Sequence, residues 1–114
     1  MKRITFKPEH VQGILDGTKT ATFRFEKPRF MNREVVAAVT RTGKTPAFLV
    51  KADDAFAHLR ITGTLIAHYS RLSDEELART NATRDWYAER SNESGIGTLY
   101  EFDVEWIRKH GEPN

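Results

Sequence analysis

The sequence contains no cysteine, which excludes disulfide bridges and thiolate metal sites in this chain. It lacks any apolar run near the ~20 residues that a membrane-spanning helix needs. The first six residues show no apolar stretch typical of a signal peptide, so a cytoplasmic protein is expected. The remaining features suit a globular protein: 114 residues, 39% hydrophobic and 30% charged. We predict one domain spanning residues 1–114.

The net charge is only +2, but the charges are unevenly distributed along the chain. Residues 1–51 contain 11 Lys or Arg and 4 Asp or Glu, whereas residues 52–114 contain 7 and 12, which gives balances of +7 and −5. A basic half indicates a phosphate-bearing partner. The alternative is that the two halves neutralise each other in the folded protein.

Short strands alternate with turns and short helices along the chain. Strands are predicted at residues 4–6, 20–25, 35–40, 47–50, 60–70 and 98–107. Gly63 indicates a bulge or a close backbone approach within the fifth of these strands. Five or six strands with two or three short helices between them predict a small, mixed β-barrel of the α+β class.

The helix boundaries carry clear local signals. Pro8 suits a first helical position, and Gly17 is placed to end that helix in the left-handed conformation. Ser73 and Glu76 have the spacing of a capping box, which predicts the start of a second helix. Thr83 is placed to cap a third.

The stretch ILDGTKTATFR, residues 14–24, carries the polar residues of greatest chemical interest. Strand alternation places Thr22 and Arg24 on one face of the predicted strand. Lys19 has the wrong parity for that face. It can join Thr22 only if the backbone is still turning after Gly17.

This stretch resembles the signature of the ASCH domain, a relative of the PUA-like RNA-binding barrels. The shared pattern is an apolar pair, a glycine, any residue, Lys-Thr, and an arginine that closes the strand. The resemblance extends over most of the chain, with less specific matches at residues 56–70, 72–77 and 100–106. It implies a β-barrel with a cleft beside the Lys-Thr strand and an association with RNA or modified nucleosides.

Within that family, the chain is similar in size and motif to the N4-acetylcytidine amidohydrolases. These enzymes use a Lys, a Thr three residues later and a distant Glu, and the first two map onto Lys19 and Thr22. A gap-free alignment places the Glu near Thr80, which is not an acid, so Glu76, one turn earlier, is the substitute candidate. A role in the capping box would by itself account for an acid at Glu76. Lys19 and Thr22 could equally be ordinary exposed strand residues.

The implied reaction uses Thr22 as a nucleophile towards the amide carbonyl of an acylated cytosine. A Lys amine can act as its base where burial or a nearby cation lowers the amine pKa. Lys19 would take the proton and return it to the leaving amine, while Glu76 would position Lys19 or activate water. No cofactor is implied. The acidic stripe in strand 98–107 is explained by alternation, so no metal site is predicted.

Two further residues are candidates for binding the substrate. Arg24 could bind an anionic or carbonyl group, or pair with an acid across the sheet. Tyr69 and Phe30 could stack on a base, although core packing is the favoured fate of Tyr69.

The expected partner is thus a modified nucleoside, an acylated cytidine, and RNA is a further possibility. One alternative function is a non-catalytic RNA-binding module that uses the same cleft and the basic loop residues, which are Lys27, Arg29, Arg33, Arg41 and Lys44. A ribonuclease is a third reading, which the lack of a well-placed histidine pair disfavours.

Overall fold

A computed structural model describes residues 1–41 and 54–109. Within these ranges, five strands, three α-helices and one short 3₁₀ turn succeed one another. The strands are β1 (Arg3–Phe6), β2 (Ala21–Arg24), β3 (Val35–Thr40), β4 (Ala57–His68) and β5 (Ile96–Ile107). The helices are α1 (Pro8–Asp16), α2 (Asp74–Thr80) and α3 (Arg84–Arg90), and the 3₁₀ turn is Tyr69–Arg71. The strand predicted at 47–50 lies outside the described residues.

The strands form one mixed sheet in the order β1-β3-β4-β5-β2. β1 pairs with β3 in parallel, and the other three pairings are antiparallel. The predicted α+β class is therefore correct. The predicted barrel is not confirmed, because the described strands form an open sheet in which β1 and β2 are the two edges.

The centre of the sheet is the long antiparallel ribbon of β4 and β5, which spans 12 residues in each strand. Its register shifts between Ile61 and Gly63, where the sequence predicted a bulge. β4 begins three residues earlier than the strand predicted at 60–70 and ends at His68, so Tyr69 belongs to the 3₁₀ turn instead of the strand.

Local signals in the sequence account for the helix boundaries. Gly17 ends α1 with φ of +83°, a conformation that costs glycine little. Ser73 and Glu76 form the predicted capping box at the start of α2. Thr83 caps α3 by accepting a hydrogen bond from the Trp86 backbone N–H.

The apolar side chains form two main clusters on this frame. The first lies between β1, α1 and the central strands and includes Ile4, Phe6 and Ile14. The second joins β2 and β5 to α2 and α3 and includes Phe23 and Tyr87. Phe6 of the first cluster lies on the edge strand β1, and Phe23 of the second cluster lies on the edge strand β2. The open side of the sheet, where these two edge strands do not pair, therefore lies between the two clusters.

Candidate functional site

A pocket of about 200 Å³ occupies this open side of the sheet. β1 contributes Thr5 and Phe6, and β2 contributes its residues Thr22 to Arg24. The remaining lining residues come from the start of α1, from the segment before β2, from the end of β3 and from the two later helices: Lys7, His10, Lys19, Arg41, Thr80, Ala82, Trp86 and Tyr87. The pocket thus lies where the two edge strands do not meet.

The backbone before β2 carries Lys19 into this pocket. After Gly17, the Thr18 N–H donates to the Asp16 carboxylate at 2.9 Å, and the Lys19 N–H donates to the Gly13 carbonyl at 2.9 Å. Regular pairing of β2 starts only at Ala21. Strand parity therefore does not apply to Lys19, which lines the pocket together with Thr22.

Lys19 is a buried cation held by a main-chain oxygen. Its side chain is 3% exposed, and its Nζ donates to the Thr80 carbonyl at 2.8 Å. Burial, with a smaller contribution from the positive charge of Arg24, lowers the pKa of Lys19 from its ordinary 10.5 to about 8. About a tenth of the Lys19 amines are then neutral at pH 7 and able to accept a proton.

Thr22 and Arg24 are neighbours on the pocket face of β2. The Thr22 side chain is buried, and its Oγ1 accepts a hydrogen bond from Arg24 Nε at 3.2 Å. Arg24 also donates from Nη2 to the Thr5 carbonyl at 2.6 Å, which bridges the gap between the two edge strands. Its guanidinium lies 5.1 Å from the centre of the Phe6 ring. The sequence-based alternative, a cross-strand acid as partner of Arg24, is not seen among the described residues.

His10 is a pocket residue that no pattern in the sequence indicates. It lies on the first turn of α1, and it is the one histidine among the described residues that lines the pocket. Burial, followed by the charge of Lys19, lowers its pKa below the ordinary 6.5. His10 is therefore mainly neutral at pH 7.

Thr80 and the α3 aromatics were likewise not selected as site residues. The gap-free alignment put the family's Glu near Thr80, and that position does contact Lys19, through its carbonyl oxygen. Tyr87 is buried in the wall beside it, and burial raises the pKa of Tyr87. Trp86 is partly exposed beside the pocket. No local sequence pattern brings these residues to residues 19–24.

The charged lining of the pocket has one sign. Four of its residues, Lys7, Lys19, Arg24 and Arg41, are cationic, and no Asp or Glu is among the described residues that line it. Within the described part of the chain, none of the four forms an ion pair with a carboxylate. The same part of the chain contains no group of three His, Asp or Glu that could hold a metal ion.

Two candidates from the sequence lie away from the pocket. Glu76 accepts a hydrogen bond from the Ser73 N–H at 2.8 Å as part of the capping box, and it lines a different depression beside Gly63 and Glu101. Tyr69 packs on the second apolar cluster, with its ring 6.4 Å from that of Phe25. The structure brings Lys19, Thr22 and Arg24 together and does not bring Glu76 or Tyr69 to them.

Phe30 and three of the basic loop residues are also outside the pocket. Phe30 is buried against Tyr100, with ring centres 5.1 Å apart. Arg29 pairs with Glu26, and neither it nor Lys27 or Arg33 lines the pocket. Lys44 lies outside the described residues. Arg41 is therefore the member of the predicted basic set that the described structure places at the site.

Solved structures of ASCH domains share this fold. The ASCH protein of Zymomonas mobilis superposes with a TM-score of 0.72 at 15% identity, covering 93% of this chain and 69% of that one. The ASCH domain of Lactobacillus crispatus gives 0.61 at 13% identity, with 92% and 80% covered. A DUF984 protein of Enterococcus faecalis gives 0.62 at 14% identity, with 90% and 74% covered.

No protein-family model matches the chain, and no curated protein matches its sequence. At these identities, the likeness to solved structures concerns the fold. The chain has the fold of ASCH domains, as the resemblance in residues 14–24 predicted. None of the helices in the described ranges is long and apolar enough to cross a membrane.

Proposed function

We propose that the protein hydrolyses the N4-acyl amide of acylated cytidine-type substrates, using Lys19 and Thr22. The observation that carries the proposal is the buried Lys19, whose pKa falls to about 8 in the same pocket as a buried threonine hydroxyl. Strongly shifted pKa values in a pocket are typical of catalytic groups. A lysine that is partly neutral at pH 7 can serve as a base, which an exposed lysine cannot do efficiently.

The hydrogen bonds around Thr22 suit the role of a nucleophile. Because Thr22 Oγ1 accepts from Arg24, its own proton is free to be donated to a neutral Lys19. In the first step, Oγ1 bonds to the acyl carbon, and the hydroxyl proton passes to Lys19 Nζ. Arg24 is placed to stabilise the negative charge that develops on the carbonyl oxygen.

The remaining steps return the site to its starting state. Collapse of the tetrahedral intermediate breaks the bond between the acyl carbon and N4, and Lys19 passes its proton to the leaving amine of cytosine. Water then attacks the acyl-Thr22 ester, giving up one proton to Lys19, which returns it to Thr22 Oγ1. The products are a cytidine and a carboxylic acid, and no cofactor takes part.

Glu76 has no part in this scheme, because its carboxylate is engaged in the capping box of α2. The Thr80 carbonyl replaces a carboxylate as the acceptor that orients Lys19. A neutral acceptor leaves the pKa of Lys19 low, whereas a carboxylate would raise it.

The test is hydrolysis of N4-acetylcytidine by the wild type and by Thr22→Val and Lys19→Met. We expect both variants to lose at least about 10²-fold in kcat/KM, the smallest usual contribution of acid–base catalysis. Thr20→Val is the matched control, since Thr20 lies on the same segment without lining the pocket, and it should retain activity. In the wild type, kcat/KM should rise with pH up to about 8 as Lys19 loses its proton.

Absence of turnover with several N4-acyl groups would reject this proposal. Turnover that survives Thr22→Val would reject Thr22 as the nucleophile but would retain the proposed hydrolase activity. A non-catalytic RNA-binding module is the second candidate, favoured by the cationic lining of the pocket. It predicts salt-dependent RNA binding that tolerates the loss of the Thr22 hydroxyl.

A further inference from the structure

The pocket has a closed end and an open end that differ in chemistry. Lys19, Thr22 and Thr80 are buried at the closed end. Lys7 and Arg41 are exposed at the open end, and partly buried His10 lies one turn along α1 from Lys7. The reacting groups are thus at the bottom of the pocket, and two exposed cationic side chains are at its mouth.

The described lining of this pocket contains cations and no carboxylate, and the acids that act on it electrostatically, Glu26 on Arg24 and Glu9 on His10, lie outside that lining. Arg24 is partly buried and has two neutral oxygen acceptors, and Lys19 has one. Removing cations from water is costly unless an opposite charge approaches them. A pocket with four cations and no described carboxylate therefore favours a ligand that carries negative charge itself.

The start of α1 adds to this preference. Lys7 is the N-cap residue of α1, and no side chain caps the helix there. A lysine is an unfavourable choice at the positive end of a helix dipole. Glu9 is the one acidic residue in that first turn, and an anion beside Lys7 would add to it in facing the partial positive charge of the helix.

We propose that the mouth of the pocket, between Lys7, Arg41 and His10, binds the 5′-phosphomonoester of a mononucleotide whose base enters towards Thr22. This inference rests on the proposed function for the identity of the base and deepens it: the preferred substrate is an acylated cytidine monophosphate, not the free nucleoside. Inorganic phosphate and a phosphodiester share part of this chemistry, so the experiment has to separate them.

The size and surroundings of the pocket favour a mononucleotide over an RNA strand. Its volume of about 200 Å³ forms one concavity, which suits a single base whose phosphate remains at the mouth. A strand needs further cations that follow its backbone. The loop cations Lys27, Arg29 and Arg33 do not line the pocket, and Arg29 is already paired with Glu26.

Binding of CMP, cytidine and inorganic phosphate to the wild type tests this inference without requiring catalysis. We expect CMP to bind at least about tenfold more tightly than cytidine, and more tightly than phosphate, with an advantage that weakens as salt is added. Arg41→Gln and Lys7→Gln should each reduce the CMP advantage at least threefold while leaving cytidine binding unchanged. Lys27→Gln is the control, an exposed lysine outside the pocket that should change neither.

A second readout reports where the phosphate binds. Proton NMR titration should show the pKa of His10 rising when CMP is bound and remaining unchanged with cytidine, because a nearby anion stabilises the imidazolium. His58 and His68, which lie outside the pocket, serve as internal controls. An upward shift at His10 alone would support the site.

The outcomes separate this inference from the proposed activity. Equal binding of CMP and cytidine would overturn the phosphate site even if N4-acetylcytidine is hydrolysed. Preferential CMP binding with no hydrolysis of any acylated substrate would retain the site and reject the hydrolase. Binding of an oligonucleotide at least tenfold tighter than CMP would overturn the mononucleotide assignment in favour of RNA.

Discussion

Positive charges inside the pocket and on the outer surface are treated in opposite ways by this fold. Outside the pocket, Arg60 pairs with Glu105, Arg79 with Glu101 and Arg84 with Asp74. Inside it, Lys19 and Arg24 have no carboxylate partner among the described residues, although Lys19 is buried and the three paired arginines are only half-buried. The carboxylates thus pair with cations that water already solvates, whereas the buried Lys19 has no carboxylate partner among the described residues.

This difference identifies the pocket as a region that does not serve stability. Exposed ion pairs contribute little because water already solvates both partners. A buried cation without an opposite charge lowers the stability of the fold. Strain and unfavourable charge of this kind are typical of functional sites. The fold around the pocket is held by the two apolar clusters, which leave the pocket polar groups available for chemistry.

The largest effect expected from this comparison is a dependence of stability on pH that is due to Lys19. Its folded-state pKa of about 8 is lower than its ordinary 10.5. Between these pH values, the unfolded chain retains a proton that the folded chain has released, so the free energy of unfolding increases with pH. The drop in pKa corresponds to about 3 kcal/mol, which is gained in full only above pH 10.5.

Urea unfolding of the wild type and Lys19→Met across this pH range measures that contribution. The wild type should gain stability relative to Lys19→Met as pH rises above 8 and show no relative change below it. Lys27→Met, which removes an exposed lysine, should run parallel to the wild type. Parallel curves for Lys19→Met and the wild type would mean that folding does not lower the pKa of Lys19.

Local patterns in the sequence predicted the parts of the fold that local interactions determine. The capping box at Ser73, the left-handed Gly17 and the bulge near Gly63 each depend on residues within one or two turns. Closure of the sheet into a barrel does not depend on such local interactions. Whether β1 meets β2 depends on the packing of the helices between them, and here Arg24 spans the gap through the Thr5 carbonyl.

The site was predictable only along residues 19–24. Lys19, Thr22 and Arg24 are close in sequence, so one motif brings them together. His10, Arg41 and Thr80 come from three other elements and have no shared pattern that marks them. The condition under which Lys19 can join Thr22 is met, because the backbone between Gly17 and Ala21 is a turn held by Asp16 and Gly13, not a strand.

A smaller effect separates the capping role of Glu76 from a catalytic one. Glutamine also satisfies a capping box, so Glu76→Gln should keep both stability and hydrolytic activity. Ser73→Ala removes the cap and should cost about 1 kcal/mol of unfolding free energy without changing kcat/KM. Urea unfolding and the N4-acetylcytidine assay on both variants provide the test. A large loss of activity in Glu76→Gln alone would return this carboxylate to the catalytic group.

The smallest effect is expected from the outer ion pairs. Arg79 Nη2 and Glu101 Oε1 are 2.7 Å apart, and the two side chains are 40% and 37% exposed. Glu101→Gln should therefore lower the free energy of unfolding by less than about 1 kcal/mol. The difference should shrink further near 1 M salt, where the Debye length is only about 3 Å. A loss above about 3 kcal/mol that persists in salt would instead be the behaviour of a buried pair, and it would remove the contrast between this surface and the pocket.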